Sequence, residues 1–248
     1  MRVALEEAIS PPGATLAQYG LPMDAVLKVY DHRFTTSVRH SWNLKAFDPD
    51  HEAEYAAYVN GPHAARTPAE MFEGGIEAAE EYLDPNDDNH ILREHYIALT
   101  IASYFTSERN AYEQLSSLQG WDIPTFYGTT RFLGGEDAPN LDLTKPGILL
   151  QYIKGIDLAH TRRDRVDMYS RLGVANFGMR LENFIVKPDG SGVVMINLAN
   201  TQLRKAGITD YEWKKEKSMY DEEGQLVDRV TFAWDWEFKY IYQWRIDD

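Results

Sequence analysis

Apolar and polar positions alternate in short bursts along most of this chain and settle into a helical period only near its middle. Ala25-Val26-Leu27-Lys28-Val29-Tyr30-Asp31 reads as a strand, with β-branched and aromatic residues around one lysine. Upstream, a turn is expected at Ser10-Pro11-Pro12-Gly13 between strands. Residues 44–90 read as acidic helical pieces. Thr67-Pro68-Ala69-Glu70 has the makings of a helix start: Thr as N-cap, Pro in the first turn, Glu to close a capping box. Met71, Phe72, Ile76, Ala79 and Leu83 would form its apolar stripe, interrupted by Gly74-Gly75. A long helix is expected from His90 to about Leu118, stopped by Gly120. Strands follow over Ile123–Phe132 and Gly147–Ile153. Near the end, Phe232, Trp234, Trp236, Phe238, Tyr240, Tyr242 and Trp244 recur at every second position, which predicts a strand with one aromatic face.

The 248 residues can bury one large core or two small lobes. A hydrophobic content of 44% with 15 Tyr and 6 Trp excludes a disordered chain. The net charge of −14 argues against nucleic acid or an anionic membrane as a partner. With no cysteine, disulfides, thiolate metal sites and a cysteine nucleophile are ruled out. The opening Met-Arg-Val-Ala-Leu-Glu-Glu carries acids where a secretory signal needs an apolar run. No stretch approaches the roughly 20 apolar residues that span a bilayer. These features lead us to expect a soluble intracellular protein, cytoplasmic or nuclear. Between Thr67 and Glu94 stand nine acids and a single arginine, either a solvated helix face or a docking surface for a basic partner.

Two metal-like patterns fail on spacing. In His90-Ile-Leu-Arg-Glu94-His95 the histidines are five apart, which on a helix separates them by roughly 140°. Asp84-Pro85-Asn86-Asp87-Asp88 starts like a calcium loop, but Asn89 and His95 stand where Gly and Glu are required. It reads better as a turn, with Asp88 or Asn89 capping the next helix.

The most informative stretch runs from Gly173 to Leu203: Gly-Val-Ala-Asn-Phe-Gly-Met-Arg-Leu-Glu-Asn-Phe-Ile-Val, a Pro-Asp-Gly turn, then Val-Val-Met-Ile-Asn-Leu-Ala-Asn-Thr-Gln-Leu. It resembles a protein-kinase catalytic loop followed by two short strands and a metal-binding turn. In kinases an Asp lies five positions before the loop Asn, and a second Asp opens the turn. Counting from Asn183, the first position is Gly178, and the second is Asn197. Other elements follow the same order. Lys28 resembles the strand lysine that grips the nucleotide phosphates, and Glu108 resembles the helix glutamate that orients it. Ile148–Gly155 resembles the strand and hinge that hold adenine, with Leu150 as gatekeeper and Tyr152 in the hinge. Asn183 resembles the loop asparagine that binds the second Mg²⁺.

With phrases such as Leu-Lys-Val-Tyr-Asp-His-Arg-Phe and Asp-Glu-Glu-Gly, the chain is most similar to fungal kinase-like proteins, over about residues 25–225. The resemblance implies an α+β, two-lobed kinase-like domain over 1–248. Residues 1–150 would be the small lobe, including the acidic insertion 44–90, and 151–248 a reduced large lobe. It implies ATP, with or without Mg²⁺, as the cofactor to be considered, and Lys28, Glu108, Leu150, Tyr152, Asn183 and Asn197 as nucleotide-binding candidates.

The departures decide the expected activity. No glycine-rich loop precedes Lys28, and Pro11 and Pro12 remove N–H groups such a loop would supply. Leu158–Asn176 is shorter than the helices a kinase places there, and the 51 residues after Asn197 are fewer than a full large lobe uses. Gly178 cannot accept a hydroxyl proton, a loss of about 10²–10⁴-fold in rate. Asn197 offers an amide oxygen without charge, whereas Mg²⁺ is ordinarily held by carboxylates and phosphates. No catalytic residue is intact, with Glu182 the only nearby acid that could substitute. The expectation is a pseudokinase acting through protein or ligand binding; the alternative is an atypical ATP-dependent phosphotransferase of weak residual activity.

Overall fold

The computed structural model describes residues 2–4, 22, 24–46, 48–62, 83, 90–132, 145–157, 174–222 and 224–225. The aromatic alternation at 232–244, the Ser10–Gly13 turn, the Asp84–Asn89 turn and, apart from Leu83, the helix expected from Thr67 lie outside these residues.

The fold is α+β, with small antiparallel pairings and few helices. Strands β1 (Arg2–Ala4), β2 (Asp24–Val29), β3 (Phe126–Phe132) and β4 (Lys145–Gln151) form one sheet in the order β1-β2-β4-β3. The β1 and β2 strands run antiparallel, with Val3 opposite Ala25. A second sheet joins β5 (Ile156–Asp157), β7 (Phe184–Val186) and β8 (Val193–Met195) in that order, and β6 (Val174–Asn176) pairs with β9 (Thr201–Leu203). The helices among the described residues are α1 (Thr36–Ser41), α2 (Pro49–Val59), α3 (His90–Gln114) and α4 (Asp210–Tyr220).

The chain divides into two compact units. The first comprises Met1–Lys28, Thr106–Thr129 and Ile148–Asp248; the second comprises Val29–Phe105 and Thr130–Gly147.

In the first unit, α3 ends at Gln114 and the chain tightens into a 3₁₀ turn, Ser116–Leu118, ahead of Gly120. Gly120 takes φ +82°, the left-handed conformation that glycine reaches without a Cβ penalty. Ala111 and Tyr112 of α3 and Leu115 just after it are fully buried, and Ile148, Leu149 and Leu150 of β4 are buried as a run, the pattern of a strand covered on both faces. Tyr112 stacks on Phe126 with ring centroids 5.5 Å apart. Val193, Val194, Met195 and Leu198 bury the segment that leads into the Asn197 turn.

Helix α4 begins at a capping box: the Thr209 hydroxyl accepts from the Glu212 N–H, and the Glu212 carboxylate accepts from the Thr209 N–H. Those bonds hold the exposed Glu212 carboxyl below the usual carboxylate range. Its other end is fixed by a fully buried ion pair, Lys217–Glu222, with Asp221 left-handed at the C-cap.

Gly155, between β4 and β5, is constrained by proximity. A Cβ there would press on the Val186 carbonyl and come within 2.5 Å of Ile185 Cγ2. Gly155→Ala is therefore expected to cost about 1–3 kcal/mol, measured by urea unfolding, because the obstacle is backbone.

The described apolar core of the second unit is small. Ile97 and Ile101 of α3 are buried, Leu83 packs with Trp42, Leu92 and Tyr96, and Tyr30 meets Phe105 edge-on at 5.5 Å. Much of its interior is polar: Asp31, His32, Arg39, Arg93, Glu94 and His95 are all buried. Among the described residues, no helix is long and apolar enough to cross a membrane.

Candidate functional site

In the first unit, strand β2 delivers Lys28, helix α3 delivers Glu108, and the turns after β6 and β8 deliver Gly178 and Asn197. Lys28 Nζ donates to Glu108 Oε2 at 2.5 Å and to Asn197 Oδ1 at 2.7 Å. Glu108 is fully buried, while Lys28 keeps 31% of its side chain exposed. The second carboxylate oxygen, Oε1, accepts from the Leu198 N–H at 3.2 Å. Both Glu108 oxygens are thereby engaged, which is what allows a carboxylate to sit away from water.

From Asn197 the hydrogen bonds close into a ring of neutral groups. Asn197 Nδ2 donates to Asn183 Oδ1 at 3.3 Å, and Asn183 Nδ2 donates to the Gly178 carbonyl at 2.6 Å. The Gly178 N–H donates to Asn176 Oδ1 at 2.8 Å, and Asn176 Nδ2 returns to the Asn197 carbonyl at 3.2 Å. Backbone bonds brace the ring: Phe177 N–H to Asn200 O at 2.8 Å and Ile196 N–H to Asn183 O at 2.8 Å. The 3₁₀ turn Leu181–Asn183, anchored by buried Leu181, presents Asn183 to this ring.

The structure thus brings Lys28, Glu108, Gly178, Asn183 and Asn197 into one network, joined by Asn176, which the sequence reading had not singled out. Its signal was present: it lies two residues before Gly178, a spacing that lets an Asn side chain bond a backbone N–H two positions on. Leu150 is buried in β4 and Tyr152 lies just beyond that strand, partly exposed; neither has a bond to the ring among those described. Glu182 is exposed. Tyr112, one turn after Glu108 on α3, keeps its hydroxyl protonated: burial, then the Glu108 charge, push it well above the usual tyrosine range.

The donor set fits Mg²⁺ poorly. Asn197 Oδ1 already accepts from Lys28 and from the Ala199 N–H at 3.2 Å, which uses both lone pairs. Glu108, the carboxylate that Lys28 joins to the ring, is buried and bonded through both oxygens. Among the described residues, no group of three or more His, Asp or Glu is placed to hold a metal ion. Among the described residues of this network, Lys28 is the cation, and it keeps part of its side chain exposed.

The second unit holds a cluster that sequence reading missed. Arg39 Nη1 donates to both oxygens of Glu94, at 2.6 and 2.7 Å, and its Nε and Nη2 bond the Lys45 carbonyl. His32 Nε2 lies 3.5 Å from Glu94 Oε1, and His51 Nε2 lies 3.2 Å from Oε2. Glu94, the last acid of the 67–94 segment, is therefore no part of an outward acidic face. It is fully buried against a guanidinium. The two histidines of the failed metal pattern go separate ways: His90 Nε2 meets Glu54 Oε2 at 3.1 Å, and His95 Nδ1 meets the Tyr55 hydroxyl at 3.3 Å. Nearby, burial opposes ionisation of Asp31, but the Arg33 hydrogen bonds and charge outweigh it and keep the carboxyl below its usual range.

The sequence matches no protein-family model and no curated protein.

Proposed function

We propose that this chain is a pseudokinase: a two-lobed, protein kinase-like protein with a reduced large lobe that works by binding rather than by phosphoryl transfer. One observation carries the reading. Where the resemblance puts a proton acceptor and a metal ligand, there is a closed ring of amides around Gly178, Asn183 and Asn197. Amides do not titrate near neutrality, so the ring cannot take a proton from a hydroxyl. The Lys28–Glu108 pair sits where it would fix the ring's geometry, as a brace for a binding surface. The binding partner we propose is a basic protein segment, drawn to the acids between Thr67 and Asp88.

The test is nucleotide titration with and without divalent ions, read by thermal shift. ATP with Mg²⁺ should leave the melting temperature unchanged. A rise of several degrees that needs the divalent ion and is lost in Asn183→Ala would overturn the reading. Transfer of label from γ-labelled ATP would favour the atypical phosphotransferase instead.

A further inference from the structure

Helix α2 is held in an unusual way. None of its residues is buried, yet one face, His51, Glu54, Tyr55 and Tyr58, follows helical spacing and makes contacts along its length. Those contacts are ionisable or aromatic. His51 reaches Glu94, Glu54 reaches His90, and Glu52 Oε1 accepts from Arg33 at 2.5 Å. Tyr55 lies against His32, with ring centroids 5.1 Å apart, and bonds His95. Tyr58 meets His95 edge-on at 5.3 Å, and His51 meets His90 at 5.4 Å. Where a surface helix ordinarily lays an apolar stripe on the core, α2 lays its side chains, His51 among them, on three imidazoles, His32, His90 and His95.

We infer that α2 is a proton-released clasp, docked over His32 while that imidazole is neutral and freed when it takes up a proton. The described charged groups around this interface come from several elements. The turn before α1 supplies Asp31 and Arg33, α1 supplies Arg39, and α2 supplies Glu52 and Glu54. Helix α3 supplies Glu94 and buried Arg93, and β4 supplies Lys145, near His32. Among the described residues these are four acids and four bases. A proton on His32, buried beneath Tyr55 and near Arg33, Arg39 and Lys145, adds positive charge to a partly desolvated interface.

His32 sets the direction. Burial first, then the Lys145 charge, hold its pKa down to about 3 in the docked state, against 6.5 when exposed. A base depressed in this way contributes stability that is complete above the exposed value. That stability is lost as the pH falls from 6.5 toward 3. Tyr55 cannot compensate, since burial and then the Glu94 charge keep its hydroxyl protonated throughout.

The experiment is hydrogen exchange of the intact chain, comparing the peptide over α2 with one over β7 and β8, after correction for intrinsic rates. One proton taken up on release changes the opening equilibrium about tenfold per pH unit. Protection of α2 should therefore fall roughly fifteenfold between pH 6.5 and about pH 5, above the carboxylate range, while β7 and β8 hold. His32→Gln removes the depressed base and should flatten that slope. An α2 profile that is flat with pH, or that falls only in step with β7 and β8, overturns the proposal. So does an unchanged slope in a folded His32→Gln; should that variant not fold, the unmodified chain's profile decides alone.

Discussion

Arg39→Met is expected to destabilise the second unit by about 3–5 kcal/mol, the scale for removing one partner of a buried ion pair. Arg39 and Glu94 are 3% and 0% exposed, so nothing nearby resembles bulk water. Loss of the guanidinium also strands the Lys45 carbonyl, which it holds at 2.7 and 3.0 Å. Methionine fills much of the same volume, so the effect reads charge and hydrogen bonding more than a cavity. Denaturant unfolding followed by the fluorescence of Trp42, which packs in this unit, measures it. The double variant Arg39→Met/Glu94→Leu should recover most of the loss, because the stranded carboxylate is then gone. If the double variant is no better than the single one, Glu94 is held by partners other than Arg39.

Lys28→Met should cost about 3 kcal/mol, at the low end of the same range because the lysine is a third exposed. The cost falls on Glu108, left fully buried without its lysine while the Leu198 N–H still bonds Oε1. Asn197 also loses a donor, so the amide ring should loosen with it. Lys28→Met/Glu108→Leu should again recover most of the stability, and the coupling energy of that cycle measures the pair directly. A brace and a phosphate clamp separate clearly here. A brace gives a large coupling energy without any nucleotide; a clamp gives a small one, with the loss appearing only in ligand affinity.

What the sequence made legible were elements specified locally. Helix α3 follows from its length and from Gly120 beyond it, and β2 follows from β-branched residues around Lys28. Helix α4 was equally available, since Thr209-Asp-Tyr-Glu212 is a capping box, but a weak apolar stripe hid it from periodicity. The polar clusters were another matter. Lys28 meets Glu108 across 80 residues and Arg39 meets Glu94 across 55. Spacing along the chain carries no trace of such pairs. The first became visible only through the resemblance of its surroundings to a kinase. The second had no such guide, and Glu94 was grouped with solvated acids because its sequence neighbours are acidic.

The amide ring also limits how this chain could be redesigned. A Cβ at position 178 would sit 3.2 Å from Asn176 Oδ1, tighter than almost any natural contact. Installing a carboxylate there would require the neighbouring amide to give way. That same amide ties the Gly178 and Asn197 turns together. Placing an acid at 178 is thus a problem of at least two positions, 178 and 176.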